Sequence, residues 1–146
     1  MKGVLESEDI KSTIKCLKKL GVKILKSKKK YIVFGNGLNS FKQPKGKMLN
    51  FGNAGTFARL MSGLLATNPD LKVKLTGDKS LNKRDMKRIV EPLSKIGCLF
   101  YPKKKNNLPL TLQGTSMPLA QNHIEKIGSS QVKSSILMAA LDTPGI

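Results

Sequence analysis

The sequence contains no tryptophan, only two cysteines and only nine acidic residues. Cys16 and Cys98 are too few and too isolated for a disulfide framework or a zinc site, so we expect reduced thiols in a cytoplasmic protein. There is no run of 18 apolar residues, so no membrane span is expected. The acidic residues form neither a catalytic pair nor a metal-binding cluster, so the sequence predicts no metal, no cofactor and no evident general acid or base.

The chain is strongly basic, with a formal net charge of +18. This charge attracts anions of any kind. Only three of the 27 basic residues are arginine, the residue whose planar guanidinium best reads guanine and grips phosphate. The lysine runs at 26–30 and 103–105 lie between predicted strands, which favours solvated loops. We therefore expect no specific nucleic acid partner and keep a basic nucleic-acid-binding module as an alternative.

Hydrophobic periodicity predicts an α/β (α+β) fold in which helices and strands follow one another along the chain. The predicted helices are 8–20, 55–66, 84–96 and 130–141. The predicted strands are 22–24, 31–34, 47–51, 71–75, 98–101, 108–112 and 121–126. The 146 residues suffice for one ordinary domain with a hydrophobic core.

The sequence repeats itself at a shift of 76 residues, which places Gly21 on Gly97 and Gly52 on Gly128. Helix faces and strand pairs stay in register, so we interpret the chain as a duplicated β-α-β-α-β-β unit. The complete copy is assigned to 47–113, with half units at 1–37 and 119–146. Half units leave strand edges open, so we expect part of a larger protein, able to self-associate through those edges.

A short glycine-containing turn, Gly52-Asn53-Ala54-Gly55-Thr56, precedes the helix predicted at 55–66. Unpaired N–H groups at such a helix start favour a bound phosphate or carboxylate. A tight strand-to-helix connection without a ligand is the structural alternative. Arg59, one turn into the helix, either reaches a bound anion or pairs with an acidic residue inside the domain.

Two further segments carry candidate anion-binding residues. Arg84 is predicted at the start of a helix, where the dipole disfavours a cation, which suggests a ligand; a salt bridge to a nearby aspartate is the alternative. Ser129, Ser130 and Gln131 open the last helix with hydroxyl and amide donors that suit a phosphate or a hydroxyl, unless the serines only cap the helix. Lys133 either adds charge to this site or faces solvent.

These residues resemble those of the 5-enolpyruvylshikimate-3-phosphate synthases. The resemblance rests on three motifs in order: the Asn-Phe-Gly-Asn-Ala-Gly-Thr segment at 50–56 with Arg59, the Gly-Asp-x-Ser-Leu-x-x-Arg segment at 77–84, and Ser-Ser-Gln-Val-Lys-Ser at 129–134. It covers essentially the whole chain, but only about a third of the family's usual length. Leu60, together with Phe51 and the Gln-Val-Lys sequence, makes the chain more similar to the class II bacterial subgroup.

The resemblance implies an enzyme of aromatic amino acid and chorismate biosynthesis by the shikimate pathway. This transferase moves the enolpyruvyl group of phosphoenolpyruvate to the 5-hydroxyl of shikimate 3-phosphate. By position, Gly55 and Arg84 would lie at the phosphoenolpyruvate site, with Asn53 and Thr56 shaping the turn. Ser129 and Ser130 would bind shikimate 3-phosphate, and Gln131 would touch both substrates. The family is the target of glyphosate, and some tolerant members carry Ala where this chain has Gly55.

Two parts of the family pattern do not occur in these residues: an early Lys-Ser…Arg motif, and the second domain that supplies most of the acid–base residues. We therefore expect no catalytic residue in this chain and little or no activity from it alone. The alternative enzyme is the transferase that acts on UDP-N-acetylglucosamine. Neither Cys16 nor Cys98 is a counterpart of that family's reactive-loop cysteine.

Overall fold

The computed structural model describes residues 1–28, 30–69, 71–102 and 106–145. The helices are α1 (Glu8–Lys19), α2 (Gly55–Ala66), α3 (Lys79–Lys83), α4 (Lys87–Ile96) and α5 (Ser130–Ala140). The strands are β1 (Lys23–Ser27), β2 (Lys30–Phe34), β3 (Met48–Asn50), β4 (Lys72–Thr76), β5 (Leu99–Tyr101) and β6 (Leu110–Gln113). The mixed α/β class predicted from the sequence is confirmed. The lysine run at 103–105 lies outside the described residues.

The strands form two sheets. Strands β1 and β2 make an antiparallel hairpin, and the other four form a mixed sheet in the order β3-β4-β6-β5. Strand β3 runs parallel to β4, whereas β4, β6 and β5 pair antiparallel. Alternate residues of the four-stranded sheet are buried beneath the helices: Leu49, Val73, Leu75, Phe100, Leu110 and Leu112. The other face of this sheet points away from the helices.

Helices α1 and α4 end in the same way, as the 76-residue shift predicts. Gly21 and Gly97 follow them with φ of +91° and +115°, a backbone conformation that L side chains rarely adopt. Each helix is followed by a strand, β1 or β5. Ser7 caps α1 by accepting a hydrogen bond from Ile10 N at 3.3 Å.

Helices α2 and α5 pack closely because glycine occupies one contact position. A Cβ atom on Gly63 would lie 2.8 Å from the carbonyl carbon of Ser135 and closer still to its oxygen. One turn earlier on α2, the carbonyl oxygen of Arg59 accepts a hydrogen bond from Ser135 Oγ at 2.8 Å. Arg59 and Ser135 are 76 residues apart, so helices that correspond in the sequence repeat contact each other directly. The boundaries of the repeat units stay a prediction.

Both cysteines are free and buried against strand carbonyls. Cys16 Sγ donates to the carbonyl oxygen of Asn50 at 3.2 Å, and Cys98 Sγ donates to that of Gln113 at 3.4 Å. Burial raises the pKa of the Cys16 thiol to about 11 and also raises that of Cys98. Both side chains therefore belong to the core.

The helix predicted at 84–96 is wrong at its start. Asp78 Oδ1 accepts from Leu81 N at 2.7 Å and caps the separate short helix α3. Arg84 is the C-cap of α3 in an extended conformation, and α4 begins only at Lys87. Arg84 therefore follows a helix C-terminus, where the dipole favours a cation, and the dipole argument made from the sequence does not apply.

The strand predicted at 121–126 is absent, because these residues form no ladder in the described structure. Side chains hold this segment against α4 instead. The Arg88 guanidinium binds the carboxylate of Glu125 at 2.6 Å and the carbonyl oxygen of Ile127. Gln121 Nε2 donates to the carbonyl oxygen of Pro92 at 3.0 Å. Apolar alternation alone thus predicted a strand where polar contacts set the conformation.

Candidate anion-binding site

The turn before α2 leaves the start of this helix without a side-chain cap. Gly52 adopts a φ of +59°, and its carbonyl oxygen accepts from Asp78 N at 2.8 Å, which ties the turn to the segment after β4. The N-cap is Ala54, which has no side-chain acceptor, and the first turn of α2 carries no acidic residue. A helix start without a side-chain cap has backbone donors and a positive dipole end available to an anion.

Arg84 lies directly over this helix start. Its Nη2 donates to Asn53 Oδ1 at 3.0 Å, and Asn53 Nδ2 donates to Asp78 Oδ2 at 2.6 Å. A Cβ on Gly55 would lie 2.8 Å from Arg84 Nη1, so the guanidinium occupies the space that a side chain there would need. The structure therefore brings Asn53, Gly55 and Arg84 together, although Arg84 is 31 residues from Asn53 in sequence.

Gln131 connects the starts of α2 and α5. Its Oε1 accepts from Arg59 Nη1 at 2.5 Å, and its Nε2 donates to Thr56 Oγ1 at 2.9 Å. Arg59 Nη2 also donates to the carbonyl oxygen of Asp85 at 3.4 Å. Arg59 thus contacts a side-chain amide and a backbone carbonyl, and no ion pair with a carboxylate is found for it within the described residues.

Positive charge is concentrated around these residues. Burial, and then the charges of Arg84 and Arg88, lower the pKa of Arg59 from its usual value. Arginine stays protonated in proteins, so this shift reflects first the burial of a charged group and then the repulsion from the neighbouring arginines. Hydrogen bonds from Leu81 N and from Asn53 lower the pKa of Asp78, which keeps that carboxylate charged and engaged. A bound anion would relieve the repulsion among the arginines.

The residues that open α5 differ in their roles. Ser129 Oγ accepts from Val132 N at 3.4 Å, so this serine caps the helix, as the structural alternative predicted. A capping hydroxyl still has its own proton to donate. Ser130 is exposed on the first turn. Lys133 is also exposed and lines a separate cavity with His123, Glu125 and Leu137.

The sequence did not point to Arg88 or Glu125, yet they fix the segment that leads to Ser129. The Arg88 guanidinium is the first cause of the lowered pKa of Glu125. Glu125 Oε1 also accepts from Ile127 N at 3.2 Å, so one carboxylate orders the backbone two residues ahead. The partners are 37 residues apart in the sequence, so no local sequence pattern reveals this pair.

The described residues contain no group of three His, Cys, Asp or Glu side chains able to hold a metal ion. None of their helices is long and apolar enough to cross a membrane. The site therefore consists of arginine, amide and hydroxyl groups at two helix starts.

Comparison with known proteins identifies the family. The sequence model described as EPSP synthase (3-phosphoshikimate 1-carboxyvinyltransferase) matches residues 1–145. The chain belongs to the EPSP synthase family. This result agrees with the resemblance carried by the three motifs, all of which lie inside the matched range.

Curated relatives in the EPSP synthase family carry the name 3-phosphoshikimate 1-carboxyvinyltransferase. The protein of Rhodospirillum rubrum is 39% identical over 150 residues, covering 99% of this chain and 33% of its own length. That of Gloeothece citriformis is 42% identical over 147 residues, covering 99% of this chain and 32% of its own. An EPSP synthase structure from Acinetobacter baumannii superposes with a TM-score of 0.88 at 34% identity, over 97% of this chain and 32% of that one. The chain thus spans about a third of the length of these EPSP synthases.

Proposed function

We propose that this chain supplies one wall of the active site of an EPSP synthase, which binds phosphoenolpyruvate and shikimate 3-phosphate. The observation that carries the proposal is the bridge made by Gln131, which hydrogen-bonds to Arg59 and Thr56 and so joins two anion-binding helix starts. In an enolpyruvyl transfer, two anionic substrates must be held side by side. Two adjacent clusters of hydrogen-bond donors, at the starts of the packed helices α2 and α5, meet that requirement.

The phosphoenolpyruvate end of this wall is assigned to the turn before α2. Arg84 offers a planar pair of N–H donors that suits a carboxylate or a phosphate, and the uncapped start of α2 adds backbone donors. Gly55 leaves room for the guanidinium and the ligand at the same place. Asn53 accepts from Arg84 Nη2 and so limits the orientations of the guanidinium.

The shikimate 3-phosphate end is assigned to the start of α5. Ser129 and Ser130 supply hydroxyl donors at the positive end of a helix dipole, which suits a phosphate. Gln131 lies between this end and the turn before α2. Lys133 is proposed as a supporting charge that attracts the phosphate without a fixed contact.

The proposed contribution of this chain is to bind and orient the substrates, because the two carboxylates near the site already bind other groups of the chain. Asp78 caps α3 and accepts from Asn53, and Glu125 is paired with Arg88. Acid–base groups would come from elsewhere in a complete active site. The 146-residue chain alone is therefore expected to bind shikimate 3-phosphate weakly and to release no phosphate when both substrates are present.

Calorimetric titration of the 146-residue chain tests this function. We expect shikimate 3-phosphate to bind about tenfold more tightly than shikimate, because hydrogen bonds between charged and neutral groups contribute about 1.5–3 kcal/mol. Ser130→Ala should weaken the binding of shikimate 3-phosphate severalfold, whereas the matched Ser134→Ala, one turn along α5, should not. Preferential binding of UDP-N-acetylglucosamine, or equal binding of shikimate and its phosphate, would contradict the proposal. Phosphate release by the chain alone would disprove the assigned division of roles.

Gly55→Ala is expected to lower the affinity for phosphoenolpyruvate about tenfold while leaving that for shikimate 3-phosphate within about twofold. The new methyl group would come within 2.8 Å of Arg84 Nη1, so the guanidinium must move away from Asn53, with the loss of about one charged hydrogen bond. Competition of phosphoenolpyruvate against a bound fluorescent phosphonate would measure the affinity. Gly128→Ala, whose Cβ meets nothing within 4 Å, is the matched control. Equal losses for both ligands would indicate a general distortion instead.

A further inference from the structure

The outer face of the four-stranded sheet carries lysines and apolar side chains. It lies apart from the arginines of the candidate anion-binding site. On β4, the exposed Lys72 and Lys74 alternate with the buried Val73 and Leu75. Register places Lys74 opposite Met48 on one side and Thr111 on the other, and Thr111 in turn opposite Tyr101. One row across this face therefore reads Met48, Lys74, Thr111 and Tyr101.

This face carries positive charges and no negative ones. None of the outward-facing residues in its four strands is acidic, since the residues beside the lysines are Asn50, Thr76, Thr111 and Gln113. A 3-10 turn, Lys45–Lys47, adds further lysines at its edge, and Lys47, Lys72 and Lys74 line a groove of about 450 Å³. Gln43 fixes the loop that carries them, because its side-chain amide bonds both the N–H and the carbonyl oxygen of Lys72 at 3.0 and 2.9 Å.

Apolar and aromatic surface is interleaved with these cations. The Lys72 ammonium lies 4.9 Å from the centroid of the Tyr101 ring, and Met48 and Leu99 are 39% and 46% exposed. Ammonium groups alone would attract any polyanion. An aromatic ring with two exposed apolar side chains on the face of a sheet adds surface on which unpaired bases can stack.

We propose that this face binds single-stranded nucleic acid without sequence preference. The lysines contact successive phosphates along β4, while a base stacks at Tyr101 on the neighbouring part of the sheet. A duplex hides the faces of its bases, so Tyr101 and the apolar groups favour a single strand. The absence of arginine from this face agrees with binding that does not depend on base sequence. A lysine ammonium is a point charge and lacks the planar pair of donors with which arginine recognises a base. The proposal does not depend on the enolpyruvyl transfer function.

Fluorescence anisotropy of labelled oligo(dT) of about 15 nucleotides tests this proposal, over salt from about 50 to 200 mM and without phosphorylated substrates. The double substitution Lys72→Gln with Lys74→Gln should weaken binding at least tenfold at low salt. It should also reduce the slope of log affinity against log salt by about 1.4, or about 0.7 for each lost phosphate contact. The matched control is Lys11→Gln with Lys18→Gln on α1, two exposed lysines that are not among the residues of this face. It removes the same charge and should weaken binding no more than about threefold.

Tyr101→Leu should weaken oligo(dT) binding about fivefold or more without changing the salt slope, since stacking contributes about 1–3 kcal/mol per base and releases no counterions. Thermal unfolding of each variant confirms that it is folded. Equal losses in the β4 and α1 variants would overturn the proposal, because binding would then follow net charge alone. No binding of oligo(dT) at low salt, tighter binding of duplex, or tighter binding of vesicles containing phosphatidylserine would also overturn it.

Discussion

Replacing Gly63 by alanine is expected to lower the free energy of unfolding by about 3 kcal/mol, the upper part of the range for overpacked cores. A Cβ at this position would lie within 3.0 Å of Ser135 Cα and overlap the carbonyl group of Ser135, so α2 and α5 would have to separate. Helix propensity predicts the opposite sign, because alanine in a helix interior is favoured over glycine by about 1 kcal/mol. The direction of the change therefore distinguishes the close helix contact from an ordinary helical glycine.

Urea denaturation followed by circular dichroism measures this change, since the chain has no tryptophan. Gly128→Ala, with open space around its Cβ, should stay within about 0.5 kcal/mol of the parent. A stabilised Gly63→Ala variant would show that α2 and α5 are not in close contact. In a destabilised variant that still folds, the affinity for shikimate 3-phosphate should also fall, because Gln131 and Thr56 lie on the two helices that move.

Arg59→Lys is expected to weaken the binding of shikimate 3-phosphate about tenfold although the charge is retained. The Arg59 guanidinium spans Gln131 Oε1 and the carbonyl oxygen of Asp85, at 2.5 and 3.4 Å. A lysine ammonium lacks the planar pair of donors, so the Gln131 amide loses the partner that fixes the position of its oxygen. This tenfold change corresponds to a loss of about 1.4 kcal/mol in binding free energy, which we assign to the lost orientation of the Gln131 amide.

Nuclear magnetic resonance separates orientation from general destabilisation in this variant. The side-chain amide protons of Gln131 should shift in the unliganded Arg59→Lys protein, and Lys95→Gln on α4 should leave them in place. Calorimetry then gives the affinity for shikimate 3-phosphate. An unchanged affinity together with a shifted amide signal would show that the orientation of Gln131 does not matter for binding. An unchanged amide signal would show that Arg59 does not hold it.

Elements with a strong local pattern could be predicted from the sequence. Helices α1, α2 and α5 begin within one residue of their predicted starts. The start of the helix predicted at 84–96 was wrong, because the Asp78 cap starts a separate helix of five residues, too short to show periodicity. The strand at 121–126 was predicted wrongly because alternation does not reveal the long-range contact with Arg88.

The candidate site depends on contacts that no local pattern contains. The sequence singled out Arg84 by an argument about the dipole of the wrong helix, and its position over Gly55 follows from the short helix α3. Gln131 was expected near a helix start, but its contact with Arg59 spans 72 residues and requires α2 to pack on α5. Pairings of this kind follow from tertiary packing. The individual roles assigned to Gly55, Arg84, Ser129, Ser130 and Gln131 stay predictions.

Alkylation of the two buried thiols can measure the rate at which the structure around each of them unfolds locally. A thiol with a raised pKa and no solvent access reacts only when its surroundings unfold, so the labelling rate reports local opening. Cys16 reports on the junction of α1 with β3, and Cys98 on that of β5 with β6. Because Cys16 lies in α1 and Cys98 just after α4, and these two helices are related by the repeat, mass spectrometry of labelled peptides can show whether the two halves open together or independently.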